Sequence, residues 1–394
     1  MPGLDPTLAP GEIVVDLAAV RHNVRLLREI AGVPLMAVVK ADGYGHGTAE
    51  VAAAARTAGA GWIGVATLGE ALALREAGDE GPLLAWLIPP GVDRSGALRA
   101  GVDVAVYDAS GLADTCDAAR ATQGRARVHV KVDTGLTRGG AARTQWRELF
   151  EGCAAAEREG LIDVVGLWSH LACADEPGHP ANAAQQEAFE DAYAVAREAG
   201  LEPRVRHLAN SAGALHHPAL RYDLVRCGIA VYGRAPAPGV ATSEQLGLRP
   251  AMSVRSRLAL VKPADAGDGV SYGHAHVLAA DTQIGLVPVG YADGVPRHGP
   301  GALPVQLGGV RREVLGRVCM DQVVLDVGGL DVSAGDEVVL FGDSAAGAPS
   351  AQEWAEAAGT IDYEILTGMG GRLARRYVGG EADDRGRSDS EEDA

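Results

Sequence analysis

Only three lysines, Lys40, Lys131 and Lys262, occur among the 35 basic residues of this chain; the other 32 are arginines. A guanidinium stays protonated in a protein, whereas an amine can lose its proton near neutral pH and can form a Schiff base with a carbonyl. A chain that carries its ordinary positive charge on arginine keeps lysine where only an amine serves. Lys40 is the first candidate, because it ends the apolar run PLMAVV and opens the loop ADGYGHG. There Gly43, Gly45 and Gly47 let the backbone turn close to a ligand, and Tyr44 adds a hydroxyl. Taken alone, Lys40 also fits a lysine snorkelling from a strand end.

A second set of groups follows RVRHLAN and LVR. Ser211 opens a helical stretch after the first; Cys227, Gly228 and Ile229 follow the second. A hydroxyl and backbone N–H groups at those two places would form a phosphate cradle. An amine and a phosphate cradle together suggest pyridoxal 5′-phosphate, whose aldehyde condenses with lysine. Arg226 directly precedes the cradle and could face the ring nitrogen. Taken alone, Ser211 is a helix N-cap and Arg226 a salt-bridge partner.

The elements that must carry these groups alternate regularly. Short apolar runs, rich in β-branched residues, occur at PLMAVV, WIGVAT, PLLAWLI, VDVAVY, ARVHVKV, DVVGLWSH, RVRHLAN and LVRCGIAVYG. Helically patterned segments such as VRHNVRLLREIA and QQEAFEDAYAVAREAG lie between most of them. Eight strands with intervening helices predict a parallel sheet, and eight favours a closed (β/α)8 TIM-type barrel, which places its site at the C-terminal strand ends. An open doubly wound sheet is the rival, weakened by the lack of a GxGxxG turn after any strand. From about Leu246 short strands separated by Gly and Asp turns predict a mainly β domain, with one helix near residues 352–358. The expected boundaries are a strand in residues 1–16 that pairs with the β domain, the barrel over 17–245, the β domain over 246–380 and a tail over 381–394.

Composition narrows the function further. The length of 394 residues and 47% hydrophobic content allow two domains. No run has membrane-spanning length and MPGLDPTLAP lacks signal-peptide features, so the expectation is a soluble cytoplasmic protein without a membrane partner. Five scattered cysteines with no CxxC pair argue against a disulfide framework and a structural zinc site. A net charge of −17 makes nucleic acid an unsuitable partner. From Glu381 onward seven acids and two arginines, with nothing apolar beyond alanine, predict a disordered acidic tail.

AVVKADGYGHG, KVDTGLTRGG, LWSHLACADE, HLANSAG, VRCGIAVYG, VSYG, VPVGYADGVPR, GRVCMDQ and IDYEIL, in that order, resemble alanine racemase motifs over nearly the whole chain apart from its two ends. The resemblance implies a barrel holding pyridoxal phosphate, a C-terminal β domain, alanine as substrate and no metal. It makes Lys40 the Schiff-base lysine, serving the D-enantiomer, and Tyr272 of the partner subunit the opposing base for the L-enantiomer. The sites are then completed across a homodimer, and the D-alanine feeds peptidoglycan. It assigns cofactor contacts to Lys40, Tyr44, His170, Asn210, Ser211, Arg226, Gly228, Ile229 and Tyr363. Arg138 binds the substrate carboxylate, the Met320 amide and Asp321 border the partner's site, and Tyr291 lies on the entry path. Lys131 matches a position carbamylated in many members, where the anion would orient Arg138. A tyrosine near pKa ~10 is a poor base at neutral pH, so Tyr272 needs neighbours that lower it, with His170 and Arg226 as candidates. Cys319 reads as a buried, inert thiol.

Four positions depart from the family pattern: Cys227 for proline, Leu136 for methionine, Gly139 for leucine and Asp362 for asparagine. None removes a group the mechanism needs, although Cys227 leaves the phosphate turn less rigid than proline would. Barrel-fold amino-acid decarboxylases share the strand-one lysine but bind phosphate with a glycine-rich turn that is not found after strand seven. A pyridoxal-phosphate carrier built on the barrel alone would lack VSYG and GYADG. A racemase of broad specificity, acting on serine or larger amino acids, stays open.

Overall fold

The computed structural model describes residues 8–299 and 301–380; the acidic segment from Glu381 lies outside them. The described residues form two compact units. One comprises Val20–Gly43 and Gly47–Leu248; the other comprises residues 8–19, Tyr44–His46 and residues 249–380.

The first unit carries eight parallel strands: Leu35–Val38, Trp62–Val65, Leu83–Ala85, Asp103–Val106, Ala126–Lys131, Ile162–Trp168, Val205–His207 and Val225–Cys227. Each pairs with the next up to the seventh, and the eighth pairs with the first through Leu35↔Val225, Met36↔Arg226 and Ala37↔Cys227. The seventh and eighth are joined by backbone bonds from Arg226 N to Ala209 O at 2.9 Å and Asp223 N to Arg206 O at 3.0 Å. Those two features close the sheet and remove the open-sheet rival. The strands read as unbroken apolar runs because helices cover them outside and side chains fill the interior. Trp146–Arg158 shows the helical half of the pattern, burying Trp146, Leu149, Phe150, Cys153 and Ala156 on one face. Inside the barrel Met36, Leu84 and Leu224 pack with Trp62, Trp86 and Val205. Gly64 makes room for them, since a Cβ there would fall 2.7 Å from both Met36 Sδ and the Trp86 ring.

The second unit holds a nine-stranded sheet among the described residues. Gly11–Asp16 lies inside it, antiparallel to Met252–Arg257 and parallel to Ala374–Val378. The stretch SVRSRLALVKP, which reads as one strand, is two. Met252–Arg257 and Leu260–Ala264 are separated because Leu258 N bonds to Asp336 O while Ala259 N bonds to Leu286 O. Leu260–Ala264 is an edge strand, which tolerates Pro263. Besides the helix Ala351–Ala358, IDYEIL forms a second one, Asp362–Gly368. No helix among the described residues is long and apolar enough to cross a membrane.

Candidate active site

The first strand stops at Val38, so Lys40 lies beyond it rather than at its end. It opens a turn whose backbone stays left-handed through Ala41 (φ 52°), Asp42 (φ 53°), Gly43 (φ 60°) and Tyr44 (φ 53°). Each non-glycine residue there costs about 1–2 kcal/mol, so the turn needs external bonds. Gly43 N reaches Val39 O at 2.9 Å and Gly47 N reaches Asp42 O at 2.8 Å. Glu70 supplies the rest: Oε1 accepts from Ala41 N at 2.7 Å, and Oε2 accepts from Ala66 N and Thr67 N, both at 2.9 Å. Lys40 Nζ stands 6.0 Å from the Trp86 ring centroid. Burial pushes its amine down, the Arg138 guanidinium pushes it further, and Glu70 opposes both.

Lys131 ends the fifth strand, and the loop after it folds back so that Ala141 N bonds to Lys131 O at 2.9 Å. Asp133 Oδ1 braces that loop through Gly135 N and Thr137 N. The return places Gly139 against the amine: a Cβ there would lie 3.4 Å from Lys131 Nζ. Lys131 Nζ also lies 4.6 Å from the Trp168 ring centroid. Burial, then Arg226 and Arg138, push its amine down to about 8 against the opposing pull of Asp133. Arg138 itself is exposed.

At the seventh strand end the cap is Asn210, not Ser211: Asn210 Oδ1 accepts from Gly213 N at 2.9 Å and starts the helix Ser211–His216. That leaves the Ser211 hydroxyl for the eighth strand end, where it accepts from Gly228 N at 3.0 Å and Ala230 N at 3.5 Å. Ile229 begins a buried 3-10 turn beside them. The Ser211 hydroxyl and the amides of the eighth strand end therefore lie together, and Cys227 is a buried strand residue paired with Ala37.

Arg226 is 4% exposed, and what faces it is not a carboxylate. Nη1 donates to His207 O at 2.8 Å; Nη2 donates to Ser169 O at 2.7 Å and Leu208 O at 3.1 Å. Nη2 also stands 3.3 Å from His170 Nδ1, and the guanidinium carbon lies 4.9 Å from the Trp168 ring centroid. Burial lowers Arg226 to about 9, which still leaves it charged at neutral pH. His170 is held well below the usual histidine range by burial first and then by Arg226, Arg138, Lys131 and Lys40, so it is neutral. The reading of Arg226 as an ordinary salt-bridge partner does not survive this environment.

The second unit gathers its own set. Tyr291 N bonds to Cys319 O at 3.1 Å and Ala292 N to Met320 O at 3.0 Å, which locks GYADG onto GRVCMD. Ser271 Oγ donates to Arg317 O at 2.6 Å and lies 3.2 Å from Cys319 Sγ, which brings in VSYG. Cys319 is thus half-buried rather than buried, with its thiol against the Ser271 hydroxyl. Arg372 ties Asp321 (2.6 Å) to Asp293, which is fully buried. Tyr272, Met320 and Tyr291 project from this assembly at 67%, 53% and 39% exposure. Tyr44 and Tyr363 meet ring to ring, with centroids 6.2 Å apart. Sequence reasoning missed Glu70, Trp86 and Trp168. The signal for the tryptophans was their place at inward-facing strand ends, whereas Glu70 looks like half of an ordinary capping box.

The comparisons with known proteins follow this division of the chain. Residues 15–236 match the family described as alanine racemase, N-terminal domain, and residues 251–377 match alanine racemase, C-terminal domain. The alanine racemase of Salinispora tropica is 50% identical over 369 residues, covering 93% of this chain and 98% of its own length. The crystal structure of alanine racemase from D-cycloserine-producing Streptomyces lavendulae superposes with a TM-score of 0.92 at 49% identity, covering 95% of this chain and 98% of that one. Alanine racemase from Streptomyces coelicolor gives 0.92 at 50% identity, covering 93% and 98%. With both domains matched and half the residues identical over nearly full length, the chain belongs to the alanine racemase family.

Proposed function

We propose that this chain interconverts L- and D-alanine with pyridoxal phosphate bound in the barrel. The observation that carries this reading is the pair of amines, Lys40 and Lys131, both pushed down by burial and by Arg138, on a barrel whose last two strand ends bring the Ser211 hydroxyl against backbone amides. Arg138 and Arg226 supply two fixed cations, Lys40 supplies an amine, and the cradle adds neutral donors. That donor set fits a ligand carrying a phosphate and a substrate carrying a carboxylate. Bound pyridoxal phosphate would supply an aldehyde for Lys40 and an electron sink that acidifies the substrate Cα–H.

The side chains do the remainder. Lys40 Nζ, shifted towards the neutral amine, takes or returns the α-proton on one face, and the partner subunit's Tyr272 hydroxyl does so on the other. Arg138 binds the carboxylate, oriented by a carbamate on Lys131. Arg226 donates to the ring nitrogen but keeps its own protons, which limits charge delocalisation into the ring and disfavours proton return at the wrong carbon. His170, neutral and against Arg226, belongs to that network. Ser211 with the Gly228 and Ile229 amides holds the phosphate, and Tyr44 and Tyr363 are its candidate phenol donors. In the partner subunit's surface the Met320 amide and Asp321 border the substrate, and Tyr291 narrows the entry. The D-alanine would serve cell-wall synthesis.

The test is spectroscopic and kinetic. Purified protein should show the long-wavelength absorbance of bound pyridoxal phosphate and racemise alanine. Lys40→Ala should lose both the band and the activity. Tyr272→Phe should keep the band and lose racemisation. A protein that binds the cofactor but racemises serine in preference to alanine would move the reading to a broad-specificity racemase, and one that never takes up pyridoxal phosphate would sink it.

A further inference from the structure

A line of buried polar side chains runs through the barrel interior and ends at Arg226. Asp103, at the start of the fourth strand and 1% exposed, holds Arg127 on both oxygens at 2.6 and 3.1 Å. Its Oδ2 also lies 3.2 Å from His129 Nε2. His129 Nδ1 lies 2.9 Å from His207 Nε2, and His207 Nδ1 lies 3.3 Å from Arg226 Nη1. Both imidazoles are 0% exposed. Trp62 meets His129 edge-on, and Trp168 stacks on His207 with ring centroids 5.5 Å apart and 4° between planes. Gly166 admits the line, since a Cβ there would overlap the His129 ring.

Counting hydrogens fixes the direction of every bond. A guanidinium only donates, so His207 Nδ1 accepts. A neutral imidazole accepting at Nδ1 carries its hydrogen on Nε2, so His207 donates to His129 Nδ1. His129 is then also protonated at Nε2 and donates to the Asp103 carboxylate. Each ring atom has one role and one partner, and the chain points from cation to carboxylate throughout. Burial keeps His207 well below the usual histidine range, which leaves it in the neutral form that this chain requires.

We propose that Asp103 is the remote counter-ion of Arg226, acting through His129 and His207 as a positioning relay that holds the guanidinium charged and fixes the direction it faces. A buried cation fringed only by carbonyls and neutral rings is poorly compensated. Three aligned hydrogen bonds through two imidazoles, ending on a carboxylate, compensate it without placing an anion beside the cofactor. There an anion would accept the hydrogen that Arg226 is meant to donate to the ring nitrogen. That last consequence rests on the proposed function; the relay itself does not.

The experiment is a nitrogen–proton spectrum of protein labelled with 15N-histidine, recorded without and with pyridoxal phosphate. His129 and His207 should both be Nε2-protonated neutral rings, with hydrogens that exchange slowly, already in the cofactor-free protein. Asp103→Asn keeps an acceptor for His129 but removes the charge, and should shift the His207 signals although the two residues do not touch. Arg127→Gln, which removes only the outer ion pair, should leave His207 where it was. His129→Gln can accept and donate along the same line and should retain the bound cofactor's absorbance, whereas His129→Leu should alter it and lower kcat about tenfold, as expected for a lost hydrogen bond on a charged path. An Nδ1 hydrogen on either ring, a charged ring, or a His207 signal indifferent to Asp103→Asn would overturn the relay. A relay present in a protein that takes up no pyridoxal phosphate would leave the counter-ion role standing and remove only its link to the reaction.

Discussion

Lys131 shows how one residue's setting becomes a measurable pH dependence. Its folded amine titrates at about 8, below the ordinary 10.5, because burial and two guanidinium groups disfavour the ammonium. Between those values the unfolded chain holds a proton that the folded chain has released, so this residue adds stability as pH rises through the window and subtracts it below. In carbon-dioxide-free buffer, the melting temperature of wild type relative to Lys131→Met should therefore rise from about pH 7 to about pH 10. A difference that stays flat would mean that the ammonium is well accommodated. The same depression leaves a fraction of neutral amine near neutral pH. Its nitrogen can add to carbon dioxide with loss of a proton, giving the carbamate. 13C-bicarbonate should then produce a carbamate carbon signal in wild type that is missing from Lys131→Met. Gly139 bears on this, since a side chain there would press on the amine, its Cβ falling 3.4 Å from Lys131 Nζ.

At the level of the element, the turn from Lys40 to Tyr44 holds four successive left-handed residues, and Glu70 restrains it. Three amides, from Ala41, Ala66 and Thr67, end on one carboxylate, so the turn after the first strand is fastened to the helix after the second. Glu70→Ala should cost about 2–3 kcal/mol by urea denaturation, since three backbone donors lose their acceptor. It should also weaken cofactor retention, because the peptide next to Lys40 is freed. Ala41→Gly should act in the opposite direction, gaining about 0.5–1 kcal/mol as left-handed strain is relieved, less the entropy of a glycine. Equal stability of Ala41→Gly and wild type would show that the strain is absorbed elsewhere.

For the whole molecule, the proposed completion of each site by a second copy is open to a direct test. Tyr272, Met320 and Tyr291 stand out together on a framework of backbone bonds too regular for a loose loop. If the partner's Tyr272 completes each site, Lys40→Ala and Tyr272→Phe are each inactive alone yet complement each other. A hybrid dimer carries one site with both bases intact and one with neither. Equal amounts, dissociated and reassembled at random, should recover about a quarter of wild-type activity per mole of chain, given the twofold symmetry. No recovery from chains shown to have exchanged would place both bases in one subunit.

Much of this was legible in the linear order. Apolar runs alternating with amphipathic helices specify a barrel, because a strand buried on both faces needs apolar side chains throughout and a covering helix needs one apolar stripe. The scarcity of lysine singled out Lys40, and the motifs named the family and through it Lys131. The capping at Asn210 and Ser211 was misjudged between two adjacent residues, because either side chain can start a helix and only the position of the eighth strand decides which hydroxyl is left over. The split of SVRSRLALVKP was hidden because each half pairs with a strand remote in the chain. Glu70 and the line from Asp103 to Arg226 belonged to the tertiary structure alone. A histidine inside an apolar strand carries no mark of its partner, and the proton directions of His129 and His207 exist only once residues 103, 129, 207 and 226 are brought within hydrogen-bonding distance. Sequence determined which groups were present and on which elements they ride. Closure of the barrel decided which of them touch, and with that which amines are pushed towards the neutral form.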